Sequence, residues 1–148
     1  ANALEAEKKK KKESKGGEDA GAGDGEAFEL RCAQPNAVMK ESKHDYDGNT
    51  LLKELIEIKG VSEMEVVFSP RTSTEQGYDT VTLYNDKSMA VEYGKFSGGY
   101  AGSKKDFPLE HTPLIIPSNK CFLVFKTDDS CNDWGFKVVF NKVLSEEE

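Results

Sequence analysis

Along residues 121–140 apolar side chains recur at every second position in two runs. Leu123 and Phe125 alternate with Phe122 and Val124, and Phe136 and Val138 repeat the spacing. Period two in aromatic and β-branched residues predicts strands. Asp128, Asp129, Ser130, Asn132 and Asp133 lie between the runs and predict a polar loop. The whole reads as a hairpin whose second strand is opened by Trp134 and Gly135. Upstream, Val38 and Met39 predict a first strand, and Met64, Val66 and Phe68 form a clean alternation stopped by Pro70. Asp79 to Tyr84 alternates with Val81 and Leu83 on one face. Leu51 to Ile56 also fits a short helix, since Leu, Lys and Glu favour one. Ile56 and Ile58 carry the alternation on, so Leu52 to Ile58 is read as a strand. Leu114 to Pro117 precedes the hairpin, and glycines 94, 98, 99 and 102 predict a long loop. Strands roughly ten to fifteen residues apart, with no long amphipathic helix between them, predict an all-β, antiparallel β-sandwich.

The ends break this pattern. Residues 1–27 are Ala/Glu/Lys-rich and then Gly/Ala/Asp/Glu-rich, with five consecutive lysines from Lys8 to Lys12. Such a segment buries too little apolar surface to offset its ordering entropy, which predicts a disordered tail. The lysine run fits a nuclear-localisation signal or an acidic-partner contact, and equally a solvated linker. The predicted organisation is a tail at 1–27, a sandwich at 28–144 and an acidic tail at 145–148. With no initiator methionine and linker-like ends, the chain reads as a domain of a larger polypeptide.

Charge and cysteine content narrow the function classes. The 148 residues carry a net charge of −7 and a pI near 5.0, against a nucleic-acid footprint. No apolar run approaches the roughly 18 residues of a membrane span. Cys32, Cys121 and Cys131 are odd in number and form no CxxC pair. That pattern suits free thiols in a reducing compartment, here the cytoplasm, better than a disulfide framework.

No enzyme emerges. His44 and His111 have no partners at zinc-ligand spacing, and neither GxSxG nor HExxH occurs. Gly98 to Lys104 resembles a phosphate loop in composition, but its glycines are too close and its Lys follows the Ser. The carboxylates offer more. Glu75 lies in a loop, Asp79 begins a strand, and Asp128 sits in the 121–140 loop. At one end of a sandwich they could meet, with Ser130 or Asn132, as an oxygen set for calcium. They could equally solvate the loops and cap turns. Trp134, the only tryptophan, is either a partner anchor or a lid packed over the sandwich end.

Taken together and in order, Phe68, Glu75, Tyr78-Asp79-Thr80-Val81, Phe125-x-Thr127-Asp128-x-Ser130 and Gly135-Phe136 resemble the CUB domain, a jelly-roll sandwich. Glu41-Ser42-x-His44-x-Tyr46 with Asn49 fits the place of that family's N-terminal motif. The resemblance spans about Met39 to Phe140. Where the secreted domains have cysteines this chain has Leu52 and Gln76, and Glu54 replaces their Trp, so their disulfides cannot form. Thr74-Glu75-x-x-Tyr78-Asp79 and Asn132-Asp133-Trp134-Gly135 look more like the intracellular CUB-like modules of very large HECT-class ubiquitin ligases and ZZ-finger/EF-hand proteins. The resemblance implies calcium ligands at Asp79 and Asp128, with Glu75 at a shorter interval than the family's, and Tyr46 in a region supporting that site. It implies a non-catalytic protein-interaction module, with Trp134 and Tyr46 as candidate partner contacts. The alternatives are a calcium-dependent membrane-binding sandwich and a structural spacer.

Overall fold

The structure, a computed structural model, describes residues 18–130 and 132–143, with side chains from residue 25 onward. The expectations for the lysine run, for Cys131 and for the acidic tail at 145–148 lie outside the described residues. One helix, α1 (Glu18–Cys32), precedes eight strands: β1 (Val38–Glu41), β2 (Leu51–Glu57), β3 (Met64–Phe68), β4 (Thr80–Tyr84), β5 (Glu92–Phe96), β6 (Leu114–Ile116), β7 (Lys120–Lys126) and β8 (Lys137–Lys142). They form two four-stranded sheets in the orders β1-β8-β3-β6 and β2-β7-β4-β5. Every named pairing is antiparallel.

Alternation fills the space between the sheets. Met64, Val66, Phe68, Val138 and Phe140 come from one sheet, and Val81, Leu83, Leu123 and Phe125 from the other. All nine are fully buried, each contributing about 1.5–3 kcal/mol by leaving water. The strands expected around 38, 52–58, 64–68 and 79–84 are present. The expected hairpin is not. β7 and β8 belong to different sheets, and the loop between them crosses from one sheet to the other. Alternation marks a strand without naming its neighbour. Here β7 runs between β2 and β4, while β8 runs between β1 and β3.

Two elements are absent from the hydrophobic pattern. β5 falls where glycines predict a loop; Gly94 is inside it because a side chain there would collide with the ring of Phe96, which packs against the core. α1 crosses the boundary expected at residue 28. Its sequence, EDAGAGDGEAFELRC, contains three glycines, each costing about 1 kcal/mol relative to Ala, so propensity cannot sustain it. Tertiary contacts do. Phe28 is buried on Val67 and Val139, on the outer face of the first sheet. Arg31 reaches Glu65 at 2.6 Å and Glu110 at 2.7 Å, and Asn141 Nδ2 donates to the Arg31 carbonyl at 3.2 Å. Phe28→Ala is therefore expected to release the helix at a cost of about 2 kcal/mol. Hydrogen exchange should show protection lost at 25–32 and kept in β3, β7 and β8. Equal loss in those strands would contradict a peripheral helix.

Candidate functional site

β4 and β7 are neighbours with Thr80 opposite Lys126. That register places Asp79, just before β4, beside Thr127 and Asp128, just after β7. Asp128 N–H donates to Asp79 Oδ1 at 2.9 Å. The β3–β4 loop brings the third carboxylate. Asp79 N–H donates to the Glu75 carbonyl at 3.0 Å and Tyr78 N–H at 3.2 Å, so the short Glu-to-Asp interval closes as a single turn and Glu75 arrives on the side of Asp79. Carboxylate oxygens of Glu75, Asp79 and Asp128 all lie within 4.8 Å of one another.

Asp79 is 0% exposed. Tyr46 Oη–H donates to its Oδ2 at 2.5 Å. Desolvation pushes the Asp79 carboxyl above its usual range, the bonds from Tyr46 and Asp128 pull it back, and the Asp128 charge raises it further. Burial, and then the hydrogen bond to Asp79, likewise raise the Tyr46 phenol. Two surrounding loops are latched in place. Thr74 N–H donates to the Gly98 carbonyl at 2.8 Å and Gly98 N–H to Thr74 Oγ1 at 3.1 Å. The glycine loop thus ties down the segment bearing Glu75. Asn49 N–H donates to the Asp128 carbonyl at 2.7 Å, and Gly48 packs so close that a Cβ would sit 3.2 Å from the Asp128 and Asp129 backbone.

The donor set suits a hard cation. Three carboxylates in contact repel one another until protons or a cation neutralise them, and oxygen ligands of this kind are what calcium takes. Calcium needs six to eight oxygens, so Ser130, Asn132, carbonyls and water would have to complete the shell. Ser130 is exposed and its N–H donates to Asp128 Oδ1 at 3.2 Å. Asn132 Oδ1 is buried and meets no hydrogen-bond donor among the described residues.

The predicted partner contacts separate. Tyr46 is 2% exposed, with its ring edge-on to Phe125 at 5.1 Å. It cannot touch a partner directly, because both ring and hydroxyl are spent inside the fold. Trp134 is half-buried at the surface and stacks on His44, with centroids 3.7 Å apart and planes 11° from parallel. The Arg71 guanidinium carbon lies 4.8 Å from its centroid. His44 is itself pinned by the Trp134 carbonyl at 2.6 Å and Glu41 at 2.9 Å. Arg71 carried no local signal that would have marked it, whereas His44 and Tyr78, which is 67% exposed beside Asp79, entered only as members of the CUB-like motifs.

No protein-family model matches the chain. Among curated proteins it is 28% identical over 99 residues to zinc finger ZZ-type and EF-hand domain-containing protein 1 of Mus musculus, covering 67% of this chain and 3% of that protein. It is 24% identical over 107 residues to E3 ubiquitin-protein ligase HERC2 of Homo sapiens, covering 72% of this chain and 2% of the ligase. The chain thus spans only a small fraction of these relatives. Among solved structures, the CUB1-EGF-CUB2 domain of human MASP-1/3 superposes with a TM-score of 0.62 at 16% identity, covering 76% of this chain and 44% of that one. The MASP-1 CUB2 domain bound to Ca2+ superposes with a TM-score of 0.56 at 14% identity, covering 73% and 94%. The fold is that of a CUB domain. The resemblance to the CUB-like segments of ZZ/EF-hand proteins and large ubiquitin ligases agrees with the relatives found.

Proposed function

We propose that this chain is a non-catalytic, protein-binding CUB-like module that operates in the cytoplasm as part of a larger protein, and that calcium at Glu75, Asp79 and Asp128 organises its binding end. The observation that carries the reading is the convergence of three carboxylates within 4.8 Å around a fully buried Asp79. When bound, calcium would neutralise the three acids and tie the β3–β4 loop to the β7–β8 crossing. The chain's own groups already prepare the place. Tyr46 holds one oxygen of Asp79, the Asp128 amide holds the other, and the glycine loop fixes the approach of Glu75. Trp134, stacked on His44 and beside Arg71, supplies a rigid half-exposed aromatic of the kind that anchors partners.

Two further observations support the setting. Cys32 and Cys121 are free thiols, and burial pushes the Cys121 thiol up to about 12, which leaves it inert. HERC2, a ubiquitin ligase by name, is among the relatives, which favours a ubiquitin-related parent over a free-standing domain.

Calcium added to the full chain is expected to raise Tm, because a ligand that binds only the folded state stabilises it by mass action, by about 2.7 kcal/mol at a hundredfold excess over Kd. Differential scanning fluorimetry with calcium, magnesium and chelator checks this. An unchanged Tm at millimolar calcium removes the cation from the proposal.

A further inference from the structure

The outer face of β2, β7 and β4 carries a second chemistry, away from the acidic end. Register sets Leu55 opposite Phe122 and Phe122 opposite Tyr84, one apolar row across three strands. The next row holds Lys53, Val124, Thr82 and Lys95, and the one after it Leu51, Lys126 and Thr80. These positions alternate with the inward Ile56, Leu123, Phe125, Val81 and Leu83, so they face out of the sandwich. Leu51 is 59% exposed and Leu55 44%. Phe122 is buried, yet it belongs to neither hydrophobic cluster of the core. The outer face of the opposite sheet has the helix seated on Val67 and Val139.

Charge says what would cover this face. The chain carries −7 overall, but Lys53, Lys95, Lys120 and Lys126 all stand exposed here against Glu57, Glu92 and Asp86. None of the four lysines has an ion pair among the described residues, while Lys40 and Lys43 do. Lys105, by contrast, turns away and donates to the Pro70 and Thr72 carbonyls at 2.8 and 2.7 Å.

The geometry points to a docking surface for an acidic protein segment whose apolar side chains interleave with its carboxylates. Leu51 and Leu55 supply the apolar contacts, on a floor that includes Phe122, and unpaired lysines supply the rim that selects for negative charge and speeds encounter. A second copy of the chain suits the face poorly, since it would set lysines against lysines. A membrane suits it poorly too: Phe122 and Thr82, at 7% and 5% exposure, cannot insert into lipid.

Random peptides displayed on phage and panned against the full chain test this. Enriched sequences should be acidic with interspersed Leu, Ile or Phe. Synthetic copies should lose about tenfold or more in affinity for Leu55→Glu and for the double variant Lys53→Glu/Lys126→Glu. Affinity should fall as salt rises. Affinity should be the same in calcium and in chelator, which keeps this surface distinct from the calcium site whether or not that site is real. All three substituted positions are exposed, and circular dichroism melts confirm that each variant folds. The inference is overturned by no enrichment, by basic or uncharged winners, or by equal binding to the variants. It is also overturned if Leu55→Glu instead abolishes pelleting with phosphatidylserine vesicles or self-association in sedimentation.

Discussion

Asp79→Ala is expected to lower the free energy of unfolding by roughly 3 kcal/mol and to remove the Tm gain from calcium. The alanine leaves the buried Tyr46 hydroxyl and the part-buried Asp128 amide, now at 2.5 and 2.9 Å from the carboxylate, without an acceptor. Each such orphan costs about 1–3 kcal/mol. Loss of a poorly solvated charge beside Asp128 offsets part of this. Asp79→Asn separates the two contributions. Its amide oxygen can still accept from Asp128 N–H while the charge is gone, so without calcium it should lie within about 1 kcal/mol of the parent, yet show no calcium response.

The pH dependence has an unusual sign for an acid. Because the folded-state value of Asp79 is raised above the ordinary 3.8, the folded state binds the proton more tightly than the unfolded state. Stability from this group is therefore gained as pH falls through the raised value toward the ordinary one, and is absent at higher pH. In chelator, the parent should gain on Asp79→Asn as the solution is acidified through that window. Urea unfolding at neutral and mildly acid pH reads both effects. A parent that loses ground to Asp79→Asn on acidification would contradict the buried, destabilised carboxylate.

Phe125→Ala carries the second large effect, about 4 kcal/mol. Phe125 is 0% exposed, with its ring 5.1 Å from Tyr46 and 5.0 Å from Phe136. Phe136 passes the contact to Phe68 at 6.3 Å, and Phe68 to Phe107 at 4.9 Å. Truncation opens a cavity in the middle of this aromatic file and removes the wall behind Tyr46, the residue that orients Asp79. Stability and calcium affinity should fall together. Phe125→Leu, which keeps more of the volume, should cost less than half as much. Chemical denaturation with calcium titration of each variant measures both quantities. A Phe125→Ala protein with its calcium affinity unchanged would show that the core does not brace the site.

How much was legible in the sequence depends on the range of the physics involved. Alternation in Met64 to Phe68, Asp79 to Tyr84 and Lys120 to Lys126 is local, so those strands and their inward faces could be read directly. α1 was not legible because nothing local favours it. Phe28 and Arg31 hold it through Val139, Glu65 and Glu110, residues that lie far along the chain. β5 was hidden by Gly94, whose missing side chain is explained only by the ring of Phe96 across it. Gly135 is similar. Its φ of 102° and the space it leaves for Ser42 and Tyr46 let β8 enter its sheet, and no local pattern says so.

The acidic loop between residues 126 and 136 shows the same division. Composition alone established that it is a polar connection rich in carboxylates, and motif order with Tyr78-Asp79 singled out Asp128. Period two could not say whether β7 and β8 pair, because a strand's alternation records which face is buried and not which strand lies alongside. The tertiary structure decided that the chain crosses between sheets there. The register of β4 against β7 then set Asp128 on Asp79, and a single turn delivered Glu75. Burial of Tyr46 took it out of the candidate partner contacts and left it in the supporting place beside Asp79 that the resemblance implied. Sequence determined the chemistry available at this end of the sandwich, since side-chain type is local. Only the fold determined which of those groups stand within hydrogen-bond reach, since that depends on contacts made across the whole chain.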